Sequence, residues 1–200
     1  MLRSLFIRYW LLIGGLVAVL VLAAAEPVSG QWLRFDRPAI DGGQWWRLFS
    51  AHWVHLSPLH ALGNSLGFVL CAYIAGASFN RLAMLAFLLF SMAFTGIGLW
   101  LFAPDLVYYV GLSGCLHGLL LVSIAGSRHY TVPVKTLMCG VIAAKVMWEQ
   151  THWYNDQALS SLIGGRVETR AHLLGFLSAL IWLLAARTGQ FLRDKNGRRT

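Results

Sequence analysis

Long apolar stretches separated by short polar connections dominate the chain. Six of them have membrane-spanning character, with predicted bounds of 7–25, 56–77, 82–103, 113–126, 134–148 and 171–187. Crossing the roughly 30 Å hydrocarbon layer takes about 20 helical residues at 1.5 Å each. The fourth and sixth stretches fall short of this. The pattern therefore predicts an all-α membrane protein, a bundle of six transmembrane helices with a short fourth helix.

Composition supports a membrane protein and argues against a soluble one. Of the 200 residues, 58% are hydrophobic and 12% are charged, whereas soluble domains carry about 25% charged residues. The length predicts one membrane domain over residues 1–200. Three cysteines lie in apolar stretches, which argues against a disulfide framework. They are Cys71, Cys115 and Cys139.

The charged residues predict the orientation of the bundle. Ten basic residues fall on one side of the predicted helices; five basic residues and seven of the eight acids fall on the other. The positive-inside rule then places both termini, and a basic tail at 188–200, in the cytoplasm. The same rule explains the net charge of +8 without nucleic-acid binding.

Two segments near the N-terminus need separate interpretation. Arg3 and Arg8 precede an apolar run, as in a signal peptide, but Tyr9 and Trp10 favour a retained first helix. The connection at 26–55 is rich in tryptophan and arginine, residues that favour the headgroup layer. We expect a partly helical loop on the outer membrane face.

Ser113 lies where the short fourth helix begins, within Gly-Leu-Ser-Gly-Cys-Leu-His-Gly at 111–118. Alone, such a serine is most often a helix N-cap. Counting from Arg128 to Ser113 and from Arg187 to His172 gives 15 residues each, about 22 Å of helical rise. Ser113 and His172 are therefore predicted at the same depth.

The second helix adds polar residues to this layer. Asn64 lies 17 residues from Arg81, about 25 Å up the helix, with His60 one turn higher. Polar side chains inside a bilayer usually face a water-filled cavity and mark function. We expect one polar pocket that opens to the outside.

These residue types suit acyl transfer. Ser113 is the candidate nucleophile and His172 the candidate base. No acid is expected to reach His172, because Glu168 lies a turn above it, so the sequence predicts a dyad. The Asn64 amide, His60 and backbone N–H groups are candidate oxyanion donors. Gly111 and Gly114 would let the backbone approach the substrate.

Three further residues are candidates for supporting roles. His117 follows Ser113 by four residues and could hold the His172 ring in place. Lys145 and Glu149 are also four apart and can form an ion pair, whose role is either structural or in substrate docking. Cys115 is expected to turn away from Ser113, and His52 to lie at the membrane interface.

Four motifs in this order resemble the rhomboid intramembrane serine proteases. They are Trp-Arg at 46–47, His-Ala-Leu-Gly-Asn at 60–64, Gly-Leu-Ser-Gly at 111–114 and Ala-His-Leu-Leu-Gly at 171–175. The resemblance runs from Trp46 to Ala179. It implies a dyad of Ser113 and His172, oxyanion assistance by His60 and Asn64, and a fifth helix that gates lateral access.

The longer motif at 111–118 and the residues around Lys145 are similar to the rhombosortase branch. That branch processes exported bacterial proteins with a C-terminal Gly-Gly, membrane helix and basic end. The resemblance implies a transmembrane substrate, a bacterial inner-membrane location with a periplasmic opening, and no cofactor or metal. His117 stands where the family often has an aromatic ring, and Ala179 where it often has glycine.

Other functions remain open on the sequence alone. A general rhomboid protease, a rhomboid-like protein that binds membrane proteins without cutting them, and a haem-binding cytochrome are the alternatives. A zinc protease is disfavoured because no His-Glu-x-x-His motif occurs. The oligomeric state cannot be predicted from these residues.

Overall fold

A computed structural model describes the backbone of residues 2–76 and 80–197, and the side chains of residues 10, 12–76 and 80–188. The described chain is mostly helical. In chain order its elements are α1 (Leu2–Ala24), α2 (Val28–Leu33), β1 (Phe35–Asp36), α3 (Arg37–Asp41), α4 (Arg47–Ser50), α5 (Pro58–Ala75), α6 (Arg81–Phe102), β2 (Tyr108–Tyr109), α7 (Ser113–Gly126), α8 (Val132–Trp148), α9 (Gln157–Ile163) and α10 (Thr169–Gly197).

Three helices in the described part of the chain are long and apolar enough to cross a membrane. They are Pro58–Ala75, Arg81–Phe102 and the stretch Thr169–Thr188 of α10. Leu12–Ala24 and Ser113–Gly126 are shorter apolar helices. The helices thus support a multi-pass membrane protein, while six crossings stay a prediction.

Helix bounds differ from the prediction mainly at the ends of the chain. The helix predicted at 7–25 spans Leu2–Ala24, and α10 continues to Gly197 although its predicted end was residue 187. Residues 188–197 contain no proline, and the good helix formers after Gly189, such as Leu192 and Arg193, allow the helix to continue. Residue 77 of the predicted second helix and residues 198–200 of the tail lie outside the described residues.

Capping residues fix the start of the helix that carries His60 and Asn64. Ser57 is extended, and its hydroxyl accepts a hydrogen bond from the His60 N–H at 3.1 Å. Pro58 occupies the first helical position, where its missing N–H costs nothing. His60 therefore lies in the first turn of α5, at the end that is predicted to face outward.

Small residues allow α7 and α10 to touch along their backbones. A Cβ at Gly175 would collide with the Gly114 carbonyl oxygen, and one at Gly118 would collide with the Gly175 carbonyl oxygen. Ala179, where the family often has a second glycine, is fully buried. This contact brings the first residue of α7 beside the first turns of α10.

The loop at 26–55 is partly helical, as predicted, and its short strand β1 pairs in an antiparallel sense with β2, which precedes Ser113. Phe35 pairs with Tyr109 and Asp36 pairs with Tyr108, which ties this loop to the segment before Ser113. Arg47 is 5% exposed and donates to the carbonyl oxygens of Gln31 and Arg34 and to the Gln44 side chain. It thereby holds the loop together.

A second arginine joins this loop to α6. The Arg37 guanidinium donates to carbonyl oxygens at the C-terminal end of α6 and just beyond it, at 2.8–3.1 Å. These acceptors are Leu99, Trp100, Ala103 and Leu106. The Trp100 carbonyl lies in the last turn of α6, where carbonyls have no partner within their own helix. Arg37 satisfies it and, through the four bonds together, fixes the loop on the bundle.

Candidate active site

Ser113 and His172 meet at the contact between α7 and α10. The Ser113 Oγ lies 3.0 Å from the His172 Nε2, in agreement with their predicted equal depth. Leu112 is the N-cap of α7 and makes no side-chain cap bond. Ser113 is thus the first helical residue rather than the cap, and its hydroxyl is directed at the histidine.

The expectation that no acid reaches His172 is wrong. The His172 Nδ1 lies 2.8 Å from the Glu149 Oε2. Glu149 follows the last residue of α8 and is 4% exposed. Depth counting along single helices missed this contact, because it depends on how α8 lies sideways against α10.

The carboxylate determines which nitrogen of His172 holds the proton. An ionised carboxylate can only accept hydrogen bonds, so the Nδ1–H donates to Glu149. The neutral ring then presents its Nε2 lone pair to the Ser113 hydroxyl. This is the tautomer that a general base for Ser113 requires.

His117 and Lys145 extend the network. The predicted ion pair forms, with the Lys145 Nζ 2.6 Å from the Glu149 Oε1, and the same ammonium donates to the His117 Nε2 at 2.6 Å. The His117 Nδ1–H donates to the Ser113 carbonyl oxygen at 2.8 Å. The rings of His117 and His172 stack with centroids 4.1 Å apart.

The ligand atoms of His117, Glu149 and His172 lie within 4.8 Å of one another, so this group could hold a metal ion. The Lys145 ammonium already contacts two of these three side chains. A divalent cation would have to displace it.

His60 and Asn64 lie on the other side of Ser113, against Gly111. Gly111 has φ +114°, and a Cβ there would be 2.9 Å from the His60 Nε2 and 3.5 Å from the Asn64 Nδ2. The Leu56 N–H donates to the His60 Nδ1 at 3.3 Å, so neutral His60 carries its proton on Nε2. Two N–H donors therefore lie against Gly111, two residues before Ser113.

Asn64 has an unused donor. Its Nδ2 is buried without a hydrogen-bond partner among the described residues, a state that costs about 1–3 kcal/mol in a folded protein. Such a group is available to a ligand that brings an acceptor. Gly114, expected to let the backbone approach the substrate, lies instead against α10, with its Cβ position 2.6 Å from the Ala171 carbonyl oxygen.

A cavity of about 960 Å³ opens from Ser113 toward the predicted outer side. His60, Ser113 and Glu149 line its base, and the segments 105–110 and 163–170 form its walls. At the rim, Arg170 bonds Asp105 and Glu168 at 2.6 Å each, and its guanidinium lowers the pKa of the exposed Asp105 carboxyl. Glu168 thus binds Arg170 at the cavity rim, and His172 is bonded to Glu149 instead.

Two histidines before α5 support the site. His52, expected at the membrane interface, is fully buried: its ring nitrogens face the carbonyl oxygens of Met92 at 3.1 Å and Gly111 at 3.4 Å. The Cys115 thiol lies 3.7 Å from the His52 Nδ1, turned away from Ser113 as expected.

The His55 ring packs edge-on against the His60 ring. Burial of His55, and to a smaller extent the nearby His60, lowers the pKa of His55 to about 3.

Fold and site together define a multi-pass membrane protein with a serine and a histidine at hydrogen-bonding distance below an open cavity. In a comparison with protein-family models, residues 42–188 match the Rhomboid domain, which is well over half of the 200 residues. The chain belongs to the rhomboid family of intramembrane serine proteases. A comparison with curated proteins finds no match.

Proposed function

We propose that this protein is an intramembrane serine endopeptidase in which Ser113 is the nucleophile and His172 the general base. The observation that carries the proposal is the 3.0 Å contact between the Ser113 Oγ and the His172 Nε2 at the base of an open cavity. The family membership supports the same chemistry.

In the proposed reaction, the Ser113 hydroxyl gives its proton to the His172 Nε2 while Oγ attacks the substrate carbonyl carbon. The His60 Nε2–H and the Asn64 Nδ2 amide stabilise the oxyanion; one such donor is typically worth about 10²–10³ in kcat. His172 returns the proton to the leaving amine, and water then hydrolyses the acyl-enzyme.

The proposed substrate is an exported bacterial protein whose C-terminal tail has Gly-Gly, a membrane helix and a basic end. Support for this class comes from the motif at 111–118 and the Lys145 region. The protein would cross the bacterial inner membrane six times within one domain, with both termini cytoplasmic, the cavity periplasmic and α8 moving for lateral access. No cofactor or metal is part of the proposal.

Two reporters in one membrane test this proposal. One has the Gly-Gly, helix and basic tail; the other has an ordinary rhomboid-type transmembrane segment. Each is expressed with the wild type, Ser113→Ala and His172→Ala. We expect cleavage of the tailed reporter only, lost in both variants.

The other outcomes separate the alternatives. Cleavage of only the ordinary segment would retain the protease and refute the tail specificity. Cleavage that survives Ser113→Ala would refute the nucleophile. Absence of any cleavage, together with stable co-purification of a reporter, would favour a rhomboid-like protein that binds without cutting.

A further inference from the structure

Glu149 occupies an unusual position for a charged residue near a membrane. Its side chain is 1% exposed, and its two oxygens contact different partners, Lys145 at 2.6 Å and His172 at 2.8 Å. A buried carboxylate is costly unless it is paired and hydrogen-bonded. Here both requirements are met, and one of the two partners is the proposed general base.

We propose that Glu149 is a positioning residue of the reaction, the third member of a serine, histidine and glutamate arrangement that Lys145 and His117 hold in place. This inference rests on the proposed function. The carboxylate keeps the proton of neutral His172 on Nδ1, which leaves Nε2 free to accept the Ser113 proton. It also stabilises the imidazolium that forms when the proton moves.

Glu149 neither gains nor loses a proton in the proposed reaction. In acylation, a bond forms between the Ser113 Oγ and the substrate carbonyl carbon, and the serine proton moves to the His172 Nε2. On collapse the scissile C–N bond breaks, and the amine takes the same proton. Glu149 stays an ionised acceptor throughout, opposite a ring that changes from neutral to positive and back.

Lys145 and His117 connect Glu149 back to the nucleophile. From Lys145 the hydrogen bonds run to the His117 Nε2, and from the His117 Nδ1 to the Ser113 carbonyl oxygen. Together with the contact from Ser113 to His172 and from His172 to Glu149, they close a ring across α7, α8 and α10. The stacked rings of His117 and His172 lie inside this network.

A purely structural ion pair explains these contacts less well. The Lys145 side chain is 46% exposed, so an ion pair with Lys145 can form at the protein surface. Such a pair does not need a buried carboxylate, nor a second oxygen directed at the His172 Nδ1. The contact to His172 accounts for both features.

The test uses Glu149→Gln, Glu149→Ala and Glu149→Asp in the full-length protein, with Glu26→Gln as the matched control. Glu26 is an exposed acid that accepts a hydrogen bond from the Gly30 N–H and does not line the cavity. The readouts are the rate of serine labelling by a fluorophosphonate, kcat and KM on the cleaved reporter, and the melting temperature.

We expect Glu149→Gln to lower kcat and the labelling rate by about 10³–10⁴, with KM changed less than threefold, as for a triad carboxamide variant. The glutamine N–H₂ can donate to Nδ1 and move the ring proton to Nε2, which removes the acceptor for Ser113. Glu149→Ala should lose less, roughly 10–100-fold, and Glu149→Asp should recover part of the rate. Glu26→Gln should retain the wild-type labelling rate.

The ranking of the variants by activity separates a positioning role from a structural one. Glutamine preserves the shape of Glu149 best, yet we expect Glu149→Gln to be the least active variant. If Glu149 is only structural, Glu149→Gln will be at least as active as Glu149→Ala, and activity will follow melting temperature. Labelling of Glu149→Gln within threefold of wild type overturns the inference and leaves the proposed function standing. Wild type that neither labels nor cleaves overturns the proposed function itself.

Should glutamine prevent folding, the alanine and aspartate variants test the same inference. The rate per folded molecule must then fall at least tenfold in Glu149→Ala and recover at least threefold from that level in Glu149→Asp. Equal rates for the two variants overturn the inference.

Discussion

Single residues determine the direction of each hydrogen bond in the site. His60 receives an N–H from Leu56 on Nδ1 and so presents a donor on Nε2. His172 gives its Nδ1–H to Glu149 and so presents an acceptor on Nε2. Two histidines in one site thus have opposite roles, and the neighbouring group at the other nitrogen decides between them.

The unused donor of Asn64 gives a prediction for the oxyanion. Asn64→Ala should lower kcat by about 10²–10³ with little change in KM, because the donor acts on the charge that develops in the transition state. Asn64→Asp keeps the shape but replaces the donor by a carboxylate, and it should be at least as damaging. Reporter cleavage at saturating and limiting substrate measures both constants.

Gln157→Ala is the control for this series, since Gln157 lies exposed on α9 and away from the cavity lining. It should retain wild-type kcat. An Asn64→Ala variant with normal kcat and raised KM would show that Asn64 binds substrate rather than the oxyanion.

His52 gives a prediction for stability against pH. Burial lowers its pKa from 6.5 to about 4, so the folded protein binds fewer protons than the unfolded chain between these values. Stability is therefore full above pH 6.5 and falls as the pH drops toward 4, by roughly 3 kcal/mol from this residue. His55 contributes in the same direction. Thermal unfolding in detergent at pH 7 and pH 5 measures the loss.

His52→Gln should reduce this pH dependence, because it removes the titrating group while an amide can still donate to the Met92 carbonyl oxygen. Gln157→Ala, at an exposed residue that does not titrate, should leave the pH dependence unchanged. Equal slopes in the wild type and His52→Gln would contradict the assignment of the loss to His52.

Among the secondary-structure elements, the contact between α7 and α10 positions the proposed nucleophile against its base. Gly175→Ala places a Cβ against the Gly114 carbonyl oxygen, and backbone atoms cannot move aside as a flexible side chain can. Overpacking of this kind typically costs about 1–3 kcal/mol. We expect a lower melting temperature and at least a tenfold loss of cleavage.

Gly140→Ala is the matched control, because a Cβ at Gly140 in α8 meets nothing within 4 Å. Alanine is the better helix former, so this variant should be as stable as the wild type or slightly more so. Normal stability and activity of Gly175→Ala would contradict the close helix contact.

The sequence was sufficient to predict features of the helices that depend on single charged residues and their spacing. Counting residues from Arg128 and Arg187 predicted Ser113 and His172 at the same depth, and the two side chains are in contact. The contact from Glu149 to His172 could not be predicted, because it depends on the lateral placement of α8. The two-residue strands are too short for any periodicity, and burial of His52 follows from tertiary packing alone.

For the whole molecule, charge distribution predicts the orientation in the membrane. In a Cys139→Ser background, the remaining native thiols of Cys71 and Cys115 are buried. His152→Cys should then react with a membrane-impermeant maleimide in intact cells of the expression host, whereas Arg128→Cys should react only after permeabilisation. The reverse pattern would contradict cytoplasmic termini and an outward-facing cavity.

The whole molecule also explains why a polar site is tolerated here. The close backbones of α7 and α10, the loop at 26–55 that Arg47 holds together and the network from α8 pack near Ser113, which lines an open cavity. Polar groups at membrane depth need such shielding by protein or water.

The most direct test of the central claim is mass spectrometry of the intact protein after reaction with a fluorophosphonate in mild detergent. The account predicts a single adduct, located by proteolysis to the peptide that contains Ser113, and absent from Ser113→Ala and from heat-denatured protein. An adduct that persists in Ser113→Ala, or a folded wild type that forms none, would contradict Ser113 as an activated nucleophile.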